Sequence, residues 1–270
     1  MTFFPCFTIG RAIERRGIGI HSGEATVARV FPGEEGFRIR KPGEDWTQIV
    51  PGAVTSTERC TGIAGVRTVE HLLSALLGLG ITDADIEVDG LEVPILDGSS
   101  LEWVEAIRGV GAVPTGSVRV FEGLTAVEVV EEGRRVRVAP GSGLLFAVYE
   151  RWPFPGRQEL TLSYSEEVYA REIAPARTVA LESEVEALLK AGHGRGGTAE
   201  NTLVIGSDGY LTPCRFEDEP VRHKLLDCIG DLALAGVPLR FLDVECERAG
   251  HSLHVAAARA LANHLRWMER

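Results

Sequence analysis

The apolar positions of this chain fall into two periods. Val69, Leu72, Leu73, Leu76 and Leu77 recur at helical spacing and predict a helix over about 69–79, with Thr68 able to cap it. Pro220 suits a first helical turn, and Val221, Leu225, Ile229 and Leu232 carry the same spacing on to about Ala235. A third helix is predicted from about His251 to Trp267. Alternation with period two marks strands at Asp85–Asp89 and Arg134–Val138. Strand-like runs cover Glu24–Phe31, Gly36–Lys41, Leu144–Tyr149 and Leu239–Glu245. Strands thus lead into a leucine-rich helix and out to another strand, twice. The two helices share a local look, Glu70-His-Leu-Leu73 and His223-Lys-Leu-Leu226, a thin sign of internal duplication. A turn-rich joint, Pro114-Thr-Gly-Ser117, separates the halves. The expected class is α+β, two layers of sheet and helix whose helices pack together.

Composition narrows the functional field. Hydrophobic residues at 44% and charged ones at 25% are those of an ordinary globular protein, which argues against disorder. A net charge of −11 repels nucleic acid and anionic lipid, so neither is an expected partner. No apolar run reaches membrane-spanning length, and the amino-terminal apolar patch has no charges ahead of it as a secretion signal would. A cytoplasmic location follows as an expectation. The five cysteines are widely spaced with no C-x-x-C pair, so neither a disulfide framework nor a cysteine zinc knuckle is implied.

Three groups of residues could carry chemistry. His223, Asp227 and Asp231 form a polar ribbon at i, i+4, i+8, and an imidazole and a carboxylate one turn apart can grip one metal ion. The same ribbon is also what the wet face of an amphipathic helix looks like, and the pattern alone favours that plainer reading. His71 stands almost opposite the leucine stripe with Glu70 beside it. Solvent exposure explains this, but so does a base next to a metal ligand, as metal-assisted hydrolysis requires. His251 and His254 sit one turn apart, with His264 further on. No H-E-x-x-H occurs. Gly17-Ile-Gly-Ile-His-Ser-Gly23 lacks the Lys-Ser/Thr of a nucleotide loop, and Ser142 lacks the frame of a hydrolase elbow. The residues alone support an α+β protein with a candidate His/His/Asp metal site joining both halves, and name no substrate.

At these positions the chain resembles the UDP-3-O-acyl-N-acetylglucosamine deacetylases, zinc amidases of lipid A synthesis. The segments that carry the likeness are Gly17–Gly23, Thr68-Val-Glu-His-Leu-Leu-Ser-Ala-Leu76, Glu92-Val-Pro-Ile-Leu-Asp-Gly-Ser99 and Ala176-Arg-Thr178. Gly196-Gly-Thr-Ala-Glu-Asn201, Arg215-Phe-Glu-Asp-Glu, Val221–Asp231 and Ala249-Gly-His251 complete the set, in family order over nearly the whole chain. The resemblance implies two domains of like topology, 1–114 and 115–270, with helices sandwiched between two sheets and the active site at their junction. It implies Zn2+ held by His71, His223 and Asp227, with Glu70 as general base and Thr178 steadying the oxyanion. By the same resemblance His251 is the acid near the departing amine, and Asp231 orients it. Lys224 and His21 look like substrate-binding residues. The implied partner is an acylated UDP-sugar met by a monomer without membrane insertion. The alternatives are a zinc amidase of another N-acetyl sugar and a non-catalytic sugar-nucleotide or lipid binder; Glu70 favours catalysis, since a binder needs no base.

The chain departs from the family pattern in places. Val179-Ala180-Leu181 stands where the family usually has Phe-Gly-Phe, removing an aromatic wall beside the substrate. His193 and Arg195 put polar side chains into a stretch that usually borders the acyl passage. Trp152 stands where His is common, and His254 where Asn is common. The expectation from Val179, His193 and Arg195 is a weakened dependence on acyl-chain length.

Overall fold

A computed structural model describes residues 1–268. Two five-stranded sheets dominate it, and both follow one chain path. The first sheet runs, in spatial order, Ile13–Ile18, Ala25–Pro32, Ala84–Asp89, Phe37–Arg40 and Thr47–Gln48. The second runs Val127–Glu131, Arg134–Pro140, Leu242–Glu247, Leu144–Arg151 and Gly156–Ser163. In each, the third strand in this order pairs antiparallel with one neighbour and parallel with the other, and the remaining pairs are antiparallel. The repeat hinted at by two short sequence matches is therefore explicit in topology.

The alternation in the central strands has a purpose on both faces. Leu242, Val244 and Cys246 are buried, while Asp243, Glu245 and Glu247 face away from the core. Arg137 reaches Glu245 at 2.8 Å and Arg135 reaches Glu247 at 3.0 Å across the strand pair. The first sheet repeats the device, with Arg38 on Asp85 at 2.7 Å and Arg40 on Glu87 at 2.9 Å. Such partly exposed pairs contribute little individually, but they fix register by matching opposite charges across strands.

Among the described residues, six helices fill the space between the sheets and their edges: α1 (Glu70–Gly78), α2 (Leu101–Val110), α3 (Glu166–Val168, continuing as a π-helical turn to Ile173), α4 (Glu182–Lys190), α5 (Glu219–Leu232) and α6 (His251–His264). α2 packs on the first sheet, α5 and α6 pack on the second, and α1 lies against both α2 and α5. One hydrophobic core runs through all of these layers. Every residue of α1 is buried, including the face opposite its leucine stripe. At the α1–α5 crossing a methyl group on Gly230 would lie 2.1 Å from the Glu70 carbonyl oxygen, so only glycine permits this approach. Gly230→Ala should cost about 1–3 kcal/mol through forced separation of the helices, with the melting temperature as readout. An unchanged melt would mean that the crossing is soft.

Four sequence expectations need correction. The last helix stops at His264 rather than Trp267. Leu265 turns extended and Arg266–Met268 pairs with Ala112–Glu122, where Trp267 packs edge-on against Phe121 at 5.4 Å. Thr68 does not cap α1: it has φ +58°, and its buried hydroxyl has no partner. Pro114–Ser117 is not a free joint but lies inside the strand Ala112–Glu122, paired with Thr2–Ile9. Its turn residues are taken up by a register shift between Pro5 and Phe7, with Gly116 at φ +84°. The strand expected from Leu239 begins instead with a 3-10 turn and runs Leu242–Glu247.

Candidate metal centre and cavity

The start of α1 and the middle of α5 meet at the floor of a cavity of about 660 Å³. His71 Nε2 and His223 Nε2 point at the same carboxylate oxygen, Asp227 Oδ1, at 3.9 and 3.3 Å, with the rings 5.1 Å apart. The three ligand atoms all lie within 4.8 Å of one another. His223 is aimed by its other nitrogen, 3.1 Å from the Ala176 carbonyl, and the backbone of His71 is held by the Ser100 hydroxyl at 2.7 Å. These residues are buried, so the wet-face reading of both helices fails: each polar ribbon faces the other helix layer, not water.

Electrostatics fit a cation. Burial, then the nearby His223, pushes the His71 imidazole down to about 3, and burial also lowers His223. Both rings are therefore neutral, as ligands must be. Burial works against the Asp227 carboxylate, but His223 and Lys224 outweigh it and hold it below the usual range. Lys224 Nζ donates to Asp227 Oδ2 at 3.0 Å, leaving Oδ1 to the imidazoles. Two neutral imidazoles and one carboxylate with converging lone pairs are a donor set for a divalent metal ion.

Glu70 is next to these groups but turned elsewhere. Its Oε2 accepts the Thr61 N–H at 3.0 Å, and its Oε1 is 3.8 Å from His251 Nε2. Burial, reinforced by Asp231 and Asp227 against the pull of His251, pushes its carboxyl up to about 8. His251 Nδ1 donates to Asp231 Oδ2 at 2.8 Å. Burial opposes its charge, but Asp231 and Glu70 win and raise it to about 9.

These shifts fix how the metal-free chain responds to pH. Folded protein keeps the Glu70 and His251 protons up to about 8 and 9, whereas the unfolded chain releases them near 4.5 and 6.5. The folded state binds more protons in that window, so stability is lost as pH rises through it. His254, raised to about 10, adds to the slope, and Cys246, drawn down to about 5, cancels that addition. His71 has the opposite sign, but acts only below its ordinary 6.5. Chelated protein should therefore melt at progressively lower temperature from pH 6.5 to 9, and Glu70→Gln should flatten part of the slope. A level profile for the unsubstituted chain contradicts these protonation states.

The remaining predicted residues divide. Thr178, Val179, Lys224, His21 and His193 all line the cavity. Arg195 does not: it is exposed, with its side chain against Gly23 and its guanidinium near Gly192. The expected effect on an acyl passage therefore falls to Val179 and His193, whose ring stacks edge-on against His21 at 5.2 Å. Trp152 is exposed, bonded to Glu150 at 3.0 Å and outside the cavity lining. One wall of the cavity is apolar: Val179, Ala180 and, from α4, Val185, Leu188 and Leu189.

The sequence reading missed the supports. Arg177, just before Thr178, is buried against Glu219 at the start of α5, with its Nε and backbone N–H both 2.9 Å from Glu219 Oε1. Thr178 N–H then donates to Gly98 O at 2.8 Å. Buried Glu92 accepts the backbone N–H of His21 at 3.0 Å and so shapes the turn that presents His21. Thr61 bonds Asp231 through its hydroxyl. Arg177, Glu92 and Glu219 lie within the segments that carry the family likeness, but no spacing pairs them.

A model of the UDP-3-O-acyl N-acetylglycosamine deacetylase family matches residues 7–263. The chain belongs to that family. Proteins named UDP-3-O-acyl-N-acetylglucosamine deacetylase from Nostoc sp. and Trichormus variabilis are each 38% identical to it, covering 94% of this chain and 97% of theirs. The protein of that name from Brucella melitensis is 36% identical, covering 94% of both chains. The family is one of metalloenzymes, in keeping with the His71/His223/Asp227 group. Among the described residues no helix is long and apolar enough to cross a membrane.

Proposed function

We propose that this chain is a zinc-dependent amidohydrolase that removes the N-acetyl group of UDP-3-O-acyl-N-acetylglucosamine, releasing acetate and the free amine, the committed step of lipid A synthesis. The observation that carries this reading is the convergence of two neutral imidazoles and the Asp227 carboxylate beside Glu70 and His251 in one cavity. Zinc bonds of about 2.0–2.2 Å put neighbouring ligand atoms about 3.3–3.6 Å apart in a tetrahedron. The 3.3 and 3.9 Å separations here come close to that before any ion draws them in. His71, His223 and Asp227 would hold the ion, and among the described residues no fourth His, Cys, Asp or Glu joins that group. Bound there, zinc supplies a Lewis acid for the acetamide carbonyl and lowers the pKa of water.

The protein groups divide the remaining work. Glu70 takes the proton of the attacking water, a role that suits a carboxyl tuned toward neutral pH. Thr178 offers a hydroxyl to the developing oxyanion. His251, cationic and held by Asp231, gives a proton to the departing amine. Lys224 and His21 contact the substrate, and the α4 wall with Val179 lodges the acyl chain. We also propose that residues 1–114 and 115–270 act as two domains meeting at this site, in a cytoplasmic monomer.

Mass spectrometry of acetate release from acylated and unacylated UDP-N-acetylglucosamine tests the reaction. Release from the acylated substrate is expected, and none from metal-replete protein overturns the reading. Elemental analysis should find about one zinc per chain, mostly lost in His223→Ala because no spare ligand replaces it. Full zinc in that variant would exclude His223 as a ligand.

A further inference from the structure

Asp231 serves two imidazoles. Its Oδ2 accepts from His251 Nδ1 at 2.8 Å and from His254 Nδ1 at 3.0 Å, while Oδ1 accepts the Thr61 hydroxyl. Asp231 and His254 are both 0% exposed, so bulk solvent does not screen the load. The far nitrogen of His254 lies 3.4 Å from Cys246 Sγ, and Cys228 Sγ belongs to the same buried group. A single carboxylate balances one imidazolium. The second needs a second anion, and Cys246 is the group placed to supply it.

We propose that His254 is a positioning residue for His251: an imidazolium paired with the Cys246 thiolate, it occupies part of Asp231 and so limits how firmly Asp231 grips His251. The proposal rests on the reading of His251 as the acid at the leaving amine. The groups facing His254 and Cys246 are Asp231, Cys228 and Lys224 on α5 and His251 on α6, the two imidazole ring centres lying 5.9 Å apart. Those facing His251 are Asp231, Asp227 and His223 on α5, Glu70 and His71 on α1, His21 across the cavity, and His254. Against burial, Cys246 and then Asp231 raise His254 to about 10, in line with the pair drawn from geometry. The His254 cation lies with its ring centre 5.9 Å from that of His251 and shares Asp231 Oδ2 with it, so it discourages the His251 proton.

The test has a part that needs no variant. Two-bond nitrogen–proton NMR patterns of the unsubstituted chain at neutral pH should show His254 protonated on both nitrogens, and the folded protein should show thiolate ultraviolet absorbance that Cys246→Ser removes. A neutral His254, or one bound to metal, overturns the pair. In the zinc-loaded enzyme, His254→Asn and Cys246→Ser should each move the basic limb of the kcat/KM profile upward by about half to one pH unit. His254→Gln, another neutral side chain, should move it the same way. An unmoved limb in all three, with the pair present, overturns the positioning role. If instead His251→Ala keeps full activity, the reading of the acid fails, and the NMR result stands separately.

Discussion

Glu70→Gln should lower the deacetylation rate by about 10²–10⁴-fold, the usual contribution of a general base, and leave zinc content unchanged. The amide keeps an oxygen to accept the Thr61 N–H, so the start of α1 should hold its shape. What disappears is the ability to take a proton from water. Glu70 is not among the three converging ligand atoms, and its carboxyl is engaged by Thr61 and His251 instead. Metal analysis beside kinetics separates the roles. Loss of zinc with loss of activity would make Glu70 a ligand, and a fall below tenfold would leave the base unidentified.

The largest structural penalty is expected from Arg177→Ala. Glu219 is 0% exposed and Arg177 5%, and the guanidinium also reaches the carbonyl oxygens of Pro213 and Glu200. Burial alone would raise Glu219, but Arg177 and the backbone N–H groups of residues 215 and 177 keep it below its ordinary value. Removing the guanidinium leaves a buried carboxylate with backbone donors only, at a cost of about 3–5 kcal/mol. For a chain of this size that lowers the melting temperature by about 6–20 °C. Arg177→Lys should recover only part, because an ammonium cannot reproduce the planar fork. A loss under about 1 kcal/mol would show that the backbone donors of residues 177 and 215 suffice. A folded remnant of the variant should also turn over slowly, since Thr178 follows directly on the lost anchor.

Helical periodicity located α1 and α5 because each carries an unbroken apolar stripe, and the class α+β followed from their alternation with strands. Exposure was misjudged by the same pattern. A polar ribbon looks wet when only its own helix is considered, whereas His71, Asp227 and Asp231 face another buried helix layer. α4 escaped notice because none of its residues is buried; its leucines turn toward the cavity instead of a core. The supports were illegible for a different reason. Thr61 and Asp231 are 170 residues apart, and Arg177 and Glu219 are 42 apart, so no local spacing links them. Arg195 misled because its segment borders the cavity while its own side chain leaves it.

The shared path of the two sheets sets a near-symmetric scaffold around a site that has no such symmetry. α1 and α5 each precede the central strand of their sheet, and α2 and α6 each follow it, so these helices and the two sheets correspond in order. Here the inventory is unequal: α5 holds His223, Asp227 and Asp231 one turn apart, while the corresponding run from His71 on α1 meets Ala75 and Leu79. One asymmetric candidate metal site thus stands on two sheets that repeat each other strand for strand.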